Sequence, residues 1–238
     1  MNTFKIARFR RWIFCVVFAA PLAAFGQFTT NYTFSGLNVT IPDNDSIGVE
    51  ISQTLNGIPG TISNIEVSLT ITGTGDGAFD GDYYAELVNG AGSFAVLLNR
   101  VGVSSGNDFG YGDNGFDVTF SDAAANDIHF YQNFSYSLNP SGQLTGLWQP
   151  DGENISPQSD PSDFDNAEEN QTALLSSFTG DDPNDTWTLF LADLSEGGTG
   201  QLTSWSIDIT TVPEPSEISL IAAGLILLVS IRRWQKKI

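Results

Sequence analysis

Cysteine occurs once in the 238 residues, at Cys15, and histidine once, at His129. Cys15 lies in an apolar N-terminal stretch, so the body of the chain has no disulfide and no thiolate to hold a metal. A lone histidine removes every zinc site built on two or three imidazoles. It also leaves His129 as the sole histidine base for any hydrolytic chemistry. Basic residues are scarce, nine Lys and Arg against twenty-eight Asp and Glu, for a net charge of -19. Eight of the nine lie at the two ends: Lys5, Arg8, Arg10 and Arg11, then Arg232, Arg233, Lys236 and Lys237. Only Arg100 stands between them, whereas every acid lies between Asp43 and Glu217. A body this acidic repels phosphate backbones and anionic lipid surfaces, which excludes nucleic acid as a partner.

Amphipathic helical periods are missing from the body as well. Period-2 alternation is present instead, with seventeen phenylalanines to build a core. The sharpest stretch is Thr186–Thr210, which reads as two strands joined by a glycine-rich turn. Trp187, Leu189 and Leu191 share one face of the first arm; Trp205, Ile207 and Ile209 share one face of the second. Gly197, Gly198 and Gly200 are expected to supply positive backbone dihedrals between them. Upstream, Tyr32–Phe34, Val39–Ile41, Gly48–Leu55 and Ile62–Ile71 read as strands, with a turn at Pro42–Asp45. Tyr83–Val88 and Phe94–Leu98 read as a hairpin around Asn89-Gly90, and Phe116–Phe120 as a further strand. Asn154–Asn170 is polar and acidic and reads as a long surface loop. Many short strands between glycine-rich turns predict an all-β sandwich.

Several of these pieces carry a family resemblance. Ile41-Pro42-Asp43-Asn44, Phe79-Asp80-Gly81-Asp82-Tyr83, Leu98-Asn99-Arg100-Val101-Gly102, Gly115–Phe120, Gly146–Pro150 and Phe178–Thr210 occur in the order of the P domain, also called P/Homo B. That domain follows the catalytic domain in subtilisin-like proprotein convertases and occurs in bacterial exported proteins. The resemblance spans about Thr33 to Thr210. Tyr83 departs from it where the family has an aliphatic residue, and Trp148 where it has tyrosine. It implies a jelly-roll-like β-sandwich, and no enzyme: the family's nucleophile, base and acid belong to a catalytic domain that has no counterpart here.

The two ends read as addresses. Residues 1–26 have a basic start, an apolar run from Trp12 to Ala20 and a small-residue exit, the pattern of a signal peptide cleaved between Gly26 and Gln27. The sandwich then occupies residues 27–211. Residues 212–238 present Pro213-Glu214-Pro215, the apolar stretch Ile218–Ile231 and a basic end. This order resembles the PEP-CTERM sorting signal, which implies processing at the Pro-Glu-Pro motif by an exosortase-type enzyme. Fourteen helical residues at about 1.5 Å each reach about 21 Å, short of the roughly 30 Å hydrocarbon core, so the apolar helix is a weak handle. Basic residues after it stay cytoplasmic and leave the sandwich outside. The implied route runs through the inner membrane of a Gram-negative bacterium to its surface or exopolysaccharide matrix.

Chemistry is sparse. Gly102-Val103-Ser104-Ser105-Gly106 matches the GxSxG nucleophile pattern, but no helix follows to present Ser104, and His129 is too close in sequence to complete a triad. His129 is expected to be a packed residue with a satisfied ring. The carboxylates suit calcium rather than zinc. Asp76, Asp80 and Asp82 in one glycine-rich loop, Asp43 and Asp45 at the first turn, and Asp193 after its strand are the calcium candidates. Trp148, Tyr131, Tyr136 and Tyr111 lie near loops and are the candidates for stacking on sugars. Three roles stay open: a structural, adhesive or protein-binding component of the cell surface, an accessory domain of a separate subtilisin-like serine protease, and a carbohydrate-binding module.

Overall fold

The computed structural model describes residues 26–166 and 170–212, with Gly224 and Arg232 alone beyond them. The signal-peptide run, the Pro213-Glu214-Pro215 motif and the apolar stretch after it therefore lie outside the described residues, apart from those two positions. Gly26 and Gln27 are exposed just ahead of the first strand. No helix among the described residues is long and apolar enough to cross a membrane.

Described residues form, in chain order, the strands β1 (Phe28–Ile41), β2 (Asp45–Thr54), β3 (Thr61–Thr74), β4 (Tyr83–Asn89), β5 (Phe94–Asn99), β6 (Gly115–Phe120), β7 (Ser137–Leu138), β8 (Leu144–Trp148), β9 (Thr186–Asp193) and β10 (Thr199–Val212). They divide into a six-stranded sheet of order β1-β10-β3-β6-β8-β7 and a four-stranded sheet of order β2-β9-β4-β5. Every neighbouring pair is antiparallel except β6 and β8, which run parallel. The expected β-sandwich is what the chain forms.

Alternation decides which face of each strand points inward. In β3, Ile65, Val67, Leu69 and Ile71 are buried while Glu66, Ser68 and Thr70 are not. Trp205, Ile207 and Ile209 of β10 continue this apolar layer, with Phe116, Val118 and Phe120 of β6. Opposite them lie Trp187, Leu189 and Leu191 of β9 and Tyr83, Ala85 and Leu87 of β4. Burying each large apolar side chain contributes about 1.5–3 kcal/mol, so this single interface dominates the stability of a disulfide-free body.

Local readings hold with informative differences. Tyr32–Phe34 and Val39–Ile41 are parts of one strand, interrupted by an irregularity where Gly36 and Asn38 take positive φ. The β4–β5 hairpin turns through Gly90–Ser93 rather than on Asn89-Gly90 alone. Asn89 closes it from within β4, its side-chain oxygen accepting from the Ser93 amide at 2.9 Å. The two arms of Thr186–Thr210 do not pair with each other: β9 belongs to one sheet and β10 to the other. Among the three glycines between them only Gly197 has a positive φ, 134°. Gly198 and Gly200 are needed for room, because a Cβ would meet the Gly77 carbonyl and the Tyr83 hydroxyl respectively.

Asn154–Asn170 is only partly a surface loop. It closes on itself through the Asn154 amide and the Asn170 carbonyl at 2.9 Å, and it sends Phe164 into the interior. A lone aromatic in a polar segment leaves no period to read, which is why the burial was not visible in the sequence.

Candidate functional site

Three connections meet at one end of the sandwich: β1–β2 with Asp43, β3–β4 with Asp76, Asp80 and Asp82, and β9–β10 with Asp193 and Glu196. The register explains the meeting. β4 runs beside β9 with Tyr83 opposite Asp193, and β2 pairs Asp45 with Asp193 on the other side. The Asp82 carbonyl accepts from the Leu194 amide at 2.8 Å, and Asp43 Oδ1 accepts from the Gly197 amide at 3.2 Å.

The six calcium candidates separate by their surroundings. Asp80 is fully buried, and its two oxygens are already engaged. Oδ1 accepts from the Gly115 amide at 2.7 Å, and Oδ2 lies 3.0 Å from the Tyr131 hydroxyl. That hydroxyl also stands 2.8 Å from Asp113 Oδ2 and has one proton to give. Burial pushes the Asp80 carboxyl well up, against the Gly115 amide and the Tyr131 hydroxyl, which both donate to it. Asp80 is a structural clasp. Asp45 accepts from the Ile47 amide at 2.9 Å, an ordinary turn contact, and Asp76 is exposed.

Asp82 and Asp193 differ. Asp193 is 1% exposed, and its Oδ2 has no hydrogen-bond partner. Burial, with Asp82 and Asp43 nearby, raises its carboxyl to about 7. Burial also raises Asp82 to about 6, against the pull of Ser195 and Arg100. Asp82 lines a cleft of about 280 Å³ with Phe79, Phe109, Tyr111, Ser195 and Glu196. A second hollow of about 290 Å³ adjoins it, lined by Asp43, Asp76, Glu196 and the glycine turn. Phe109 is 76% exposed at the cleft, an unusual cost for a large apolar side chain.

The sugar-stacking candidates do not form a platform. Trp148 and Tyr131 are buried, Tyr111 packs edge-on against Tyr131 with centroids 4.7 Å apart, and only Tyr136 is well exposed. Phe109 and Phe79 are the aromatics that reach solvent beside the acids, and sequence reasoning missed both.

Around His129 lies a separate, fully buried polar knot. His129 sits in a short 3-10 helix (Ile128–Asn133), whose capping residue Asp127 accepts from the His129 amide at 2.8 Å. Its ring stacks on Phe164 (centroids 5.9 Å apart, 6° between planes) and meets the edge of Phe130. Nδ1 is 2.9 Å from Asp151 Oδ2, and Nε2 is 3.0 Å from the Val103 carbonyl. Both neighbours are acceptors, an arrangement that suits an imidazolium donating from both nitrogens. Burial opposes that charge, but Asp151, Glu153 and the Val103 carbonyl outweigh it and hold His129 up at about 9. Burial and the charge of Asp151 raise Glu153 to about 8 and Asp127 to about 7. Asn99 binds the knot together, donating its amide to Asp151 Oδ2 at 3.1 Å and its side chain to the Glu153 carbonyl at 3.1 Å.

Ser104 is not activated by this arrangement. The Ser104–Asn107 segment is a tight turn closed by reciprocal backbone bonds, and both His129 nitrogens are occupied elsewhere. Among the described residues, only His129, Asp151 and Glu153 form a trio of His, Cys, Asp or Glu with donor atoms within 4.8 Å of one another.

No protein-family model and no curated relative matches the chain. Among solved structures it is similar to a serine protease of Aeromonas sobria in complex with the chaperone, at 16% identity and a TM-score of 0.42 over 82% of this chain. It is also similar to the serine protease of Aeromonas sobria itself, at 15% identity and a TM-score of 0.39 over 81% of this chain. In both cases the match spans 28% of the other chain, and neither likeness is close enough to assign a function.

Proposed function

We propose that the chain is an exported, non-catalytic binding module of P-domain type, whose loop-end cleft holds a protein or polymer of the cell surface. The observation that carries this reading is the exposed Phe109 set beside Asp82 and Glu196 in a shallow cleft. The engaged ring of His129 supports the absence of hydrolysis. Delivery runs through the signal peptide, transient residence in the inner membrane and processing by an exosortase-type enzyme. It ends at the surface or exopolysaccharide matrix of a Gram-negative bacterium. The test is capture of matrix material by the immobilised exported protein, beside a glycan array. Phe109→Ser is expected to reduce capture at least tenfold while leaving Tm unchanged, because this side chain packs against little of its own chain. A glycan lost by the same variant makes the module carbohydrate-binding; a subtilisin-like protease lost by it makes the module an accessory domain. Capture indifferent to Phe109 overturns the cleft. Turnover that disappears in both Ser104→Ala and His129→Ala overturns the non-catalytic reading.

Calcium belongs to the same proposal, at Asp82 and Asp193 rather than at Asp80. The unpartnered Asp193 Oδ2 is the atom that fits a hard cation, with backbone carbonyls and water completing six to eight oxygens. Asp82 and Asp193 titrate above the ordinary carboxylate range, facing Asp43, Tyr83 and Arg100. In chelator, the folded chain keeps protons between about pH 4 and 7 that the unfolded chain has lost, so stability falls as pH rises through that window. Calcium takes the ionised form. Its effect on Tm is therefore expected to be larger at pH 8 than at pH 5, and to vanish in Asp193→Asn. Equal Tm in calcium and chelator at pH 8 rejects the site.

A further inference from the structure

The knot around His129 holds more acceptors than donors. Glu153 is fully buried, and neither of its carboxylate oxygens has a hydrogen-bond partner; Asn99 Oδ1 is buried without one as well. Native interiors rarely leave such atoms bare. A proton on Glu153 does not resolve the problem, because the new O–H would need an acceptor and neither oxygen has a bonding neighbour. A cation resolves it. His129 Nδ1 lies 2.9 Å from Asp151 Oδ2 and 3.7 Å from Glu153 Oε2. Ligands held about 2.0–2.1 Å from a tetrahedral ion stand roughly 3.3–3.4 Å apart, a value these two distances bracket. The other ring nitrogen donates to the Val103 carbonyl at 3.0 Å, the outer contact that orients a metal-bound imidazole.

We propose that His129 Nδ1, Asp151 and Glu153 bind one divalent ion of the zinc class as a structural site. On binding, the imidazole releases its Nδ1 proton to solvent. A neutral ring, two carboxylates and a doubly charged ion then sum to zero inside the protein. An imidazole ligand and so few oxygens disfavour calcium, which takes six to eight oxygens, and magnesium, which keeps its waters. With one histidine, the sequence pointed away from zinc; the fold supplies the missing ligands by bringing Asp151 and Glu153 to His129. The ion joins the 3-10 helix to the segment that leads into the Phe164 loop. It does for a cysteine-free exported body what a disulfide does elsewhere.

The lone histidine makes the test unambiguous. The full chain is stripped with chelator, titrated with zinc, and studied by X-ray absorption at the zinc edge. Expected are one zinc per chain, a first shell of nitrogen and oxygen with the scattering of a single imidazole, and a higher Tm in zinc than in chelator. Glu153→Gln, nearly isosteric, is expected to weaken zinc at least a hundredfold and to lose the zinc-dependent part of Tm. If that variant does not fold, the absorption spectrum of the unmodified chain decides. A shell without imidazole, less than one zinc per chain, or undiminished affinity in Glu153→Gln overturns the site.

Discussion

Replacing Trp205 with alanine is expected to lower the unfolding free energy by about 3–5 kcal/mol, a large part of the roughly 5–15 kcal/mol that holds a domain folded. Trp205 sits on β10, between two neighbours: opposite Phe34 on β1 and opposite Leu69 on β3. It is 1% exposed and packs on Phe34 with ring centroids 4.8 Å apart. Truncation opens a cavity that both flanking strands are too firmly paired to fill. Trp187 is equally buried but differs in one respect: its indole nitrogen donates to the Pro183 carbonyl at 3.2 Å, whereas that of Trp205 has no partner. Trp187→Phe should therefore cost about 1 kcal/mol more than Trp205→Phe, the worth of one hydrogen bond. Urea unfolding of residues 27–212 measures all three variants. A loss below about 1.5 kcal/mol for Trp205→Ala would mean a loosely packed core that relaxes into the space.

The second large effect concerns destination. Pro213-Glu214-Pro215, the stretch Ile218–Ile231 and the basic cluster after it motivate the proposed processing. Deletion of residues 213–238 is expected to shift nearly all of the domain from cells to medium. The cut belongs after Val212, because Val212 still pairs with Thr61 and Thr211 is buried. Alanines in place of Pro213, Glu214 and Pro215 should instead trap an unprocessed chain in the inner membrane. Intact mass of the surface or secreted protein, compared with its membrane-fraction precursor, checks both. A mature protein that still contains Ile218–Ile231 rejects processing and leaves a membrane-anchored sandwich.

How much of this was legible depended on whether the signal was local. Alternation in β3 and in the second arm of Thr186–Thr210 reports one residue's relation to the next, so those strands could be read directly. Partner choice is not local. Nothing in Thr186–Thr210 says that its two arms enter different sheets, since a turn of glycines serves a hairpin and a crossover alike. The parallel pairing of β6 with β8 depends on the intervening segment folding back, and two-residue β7 has too few positions to alternate. The same limit applied to sites. Asp43, Asp45, Asp76, Asp80, Asp82 and Asp193 stood out alike because each lies in a recognisable turn or loop or follows a strand. His129, Asp151 and Glu153 carry no spacing signature, and Asp151 and Glu153 fall between the Gly146–Pro150 piece and the Asn154–Asn170 loop, where no pattern marks them. Only the third dimension distinguishes Asp80, whose oxygens are used up, from Asp82 two residues later.

The pairing of β1 with β10 places Phe28 opposite Thr211, so the chain enters and leaves the sandwich side by side. Asp43 and Gly197 lie at the other ends of the same two strands. Fourteen residues at roughly 3.3 Å each separate these poles by about 45 Å. Whatever continues the chain beyond Val212 therefore attaches at the pole opposite the cleft. If the proposed surface attachment runs through that end, the sandwich would act as a post that carries Phe109 and its acidic rim outward, where a partner could approach them without displacing the tether.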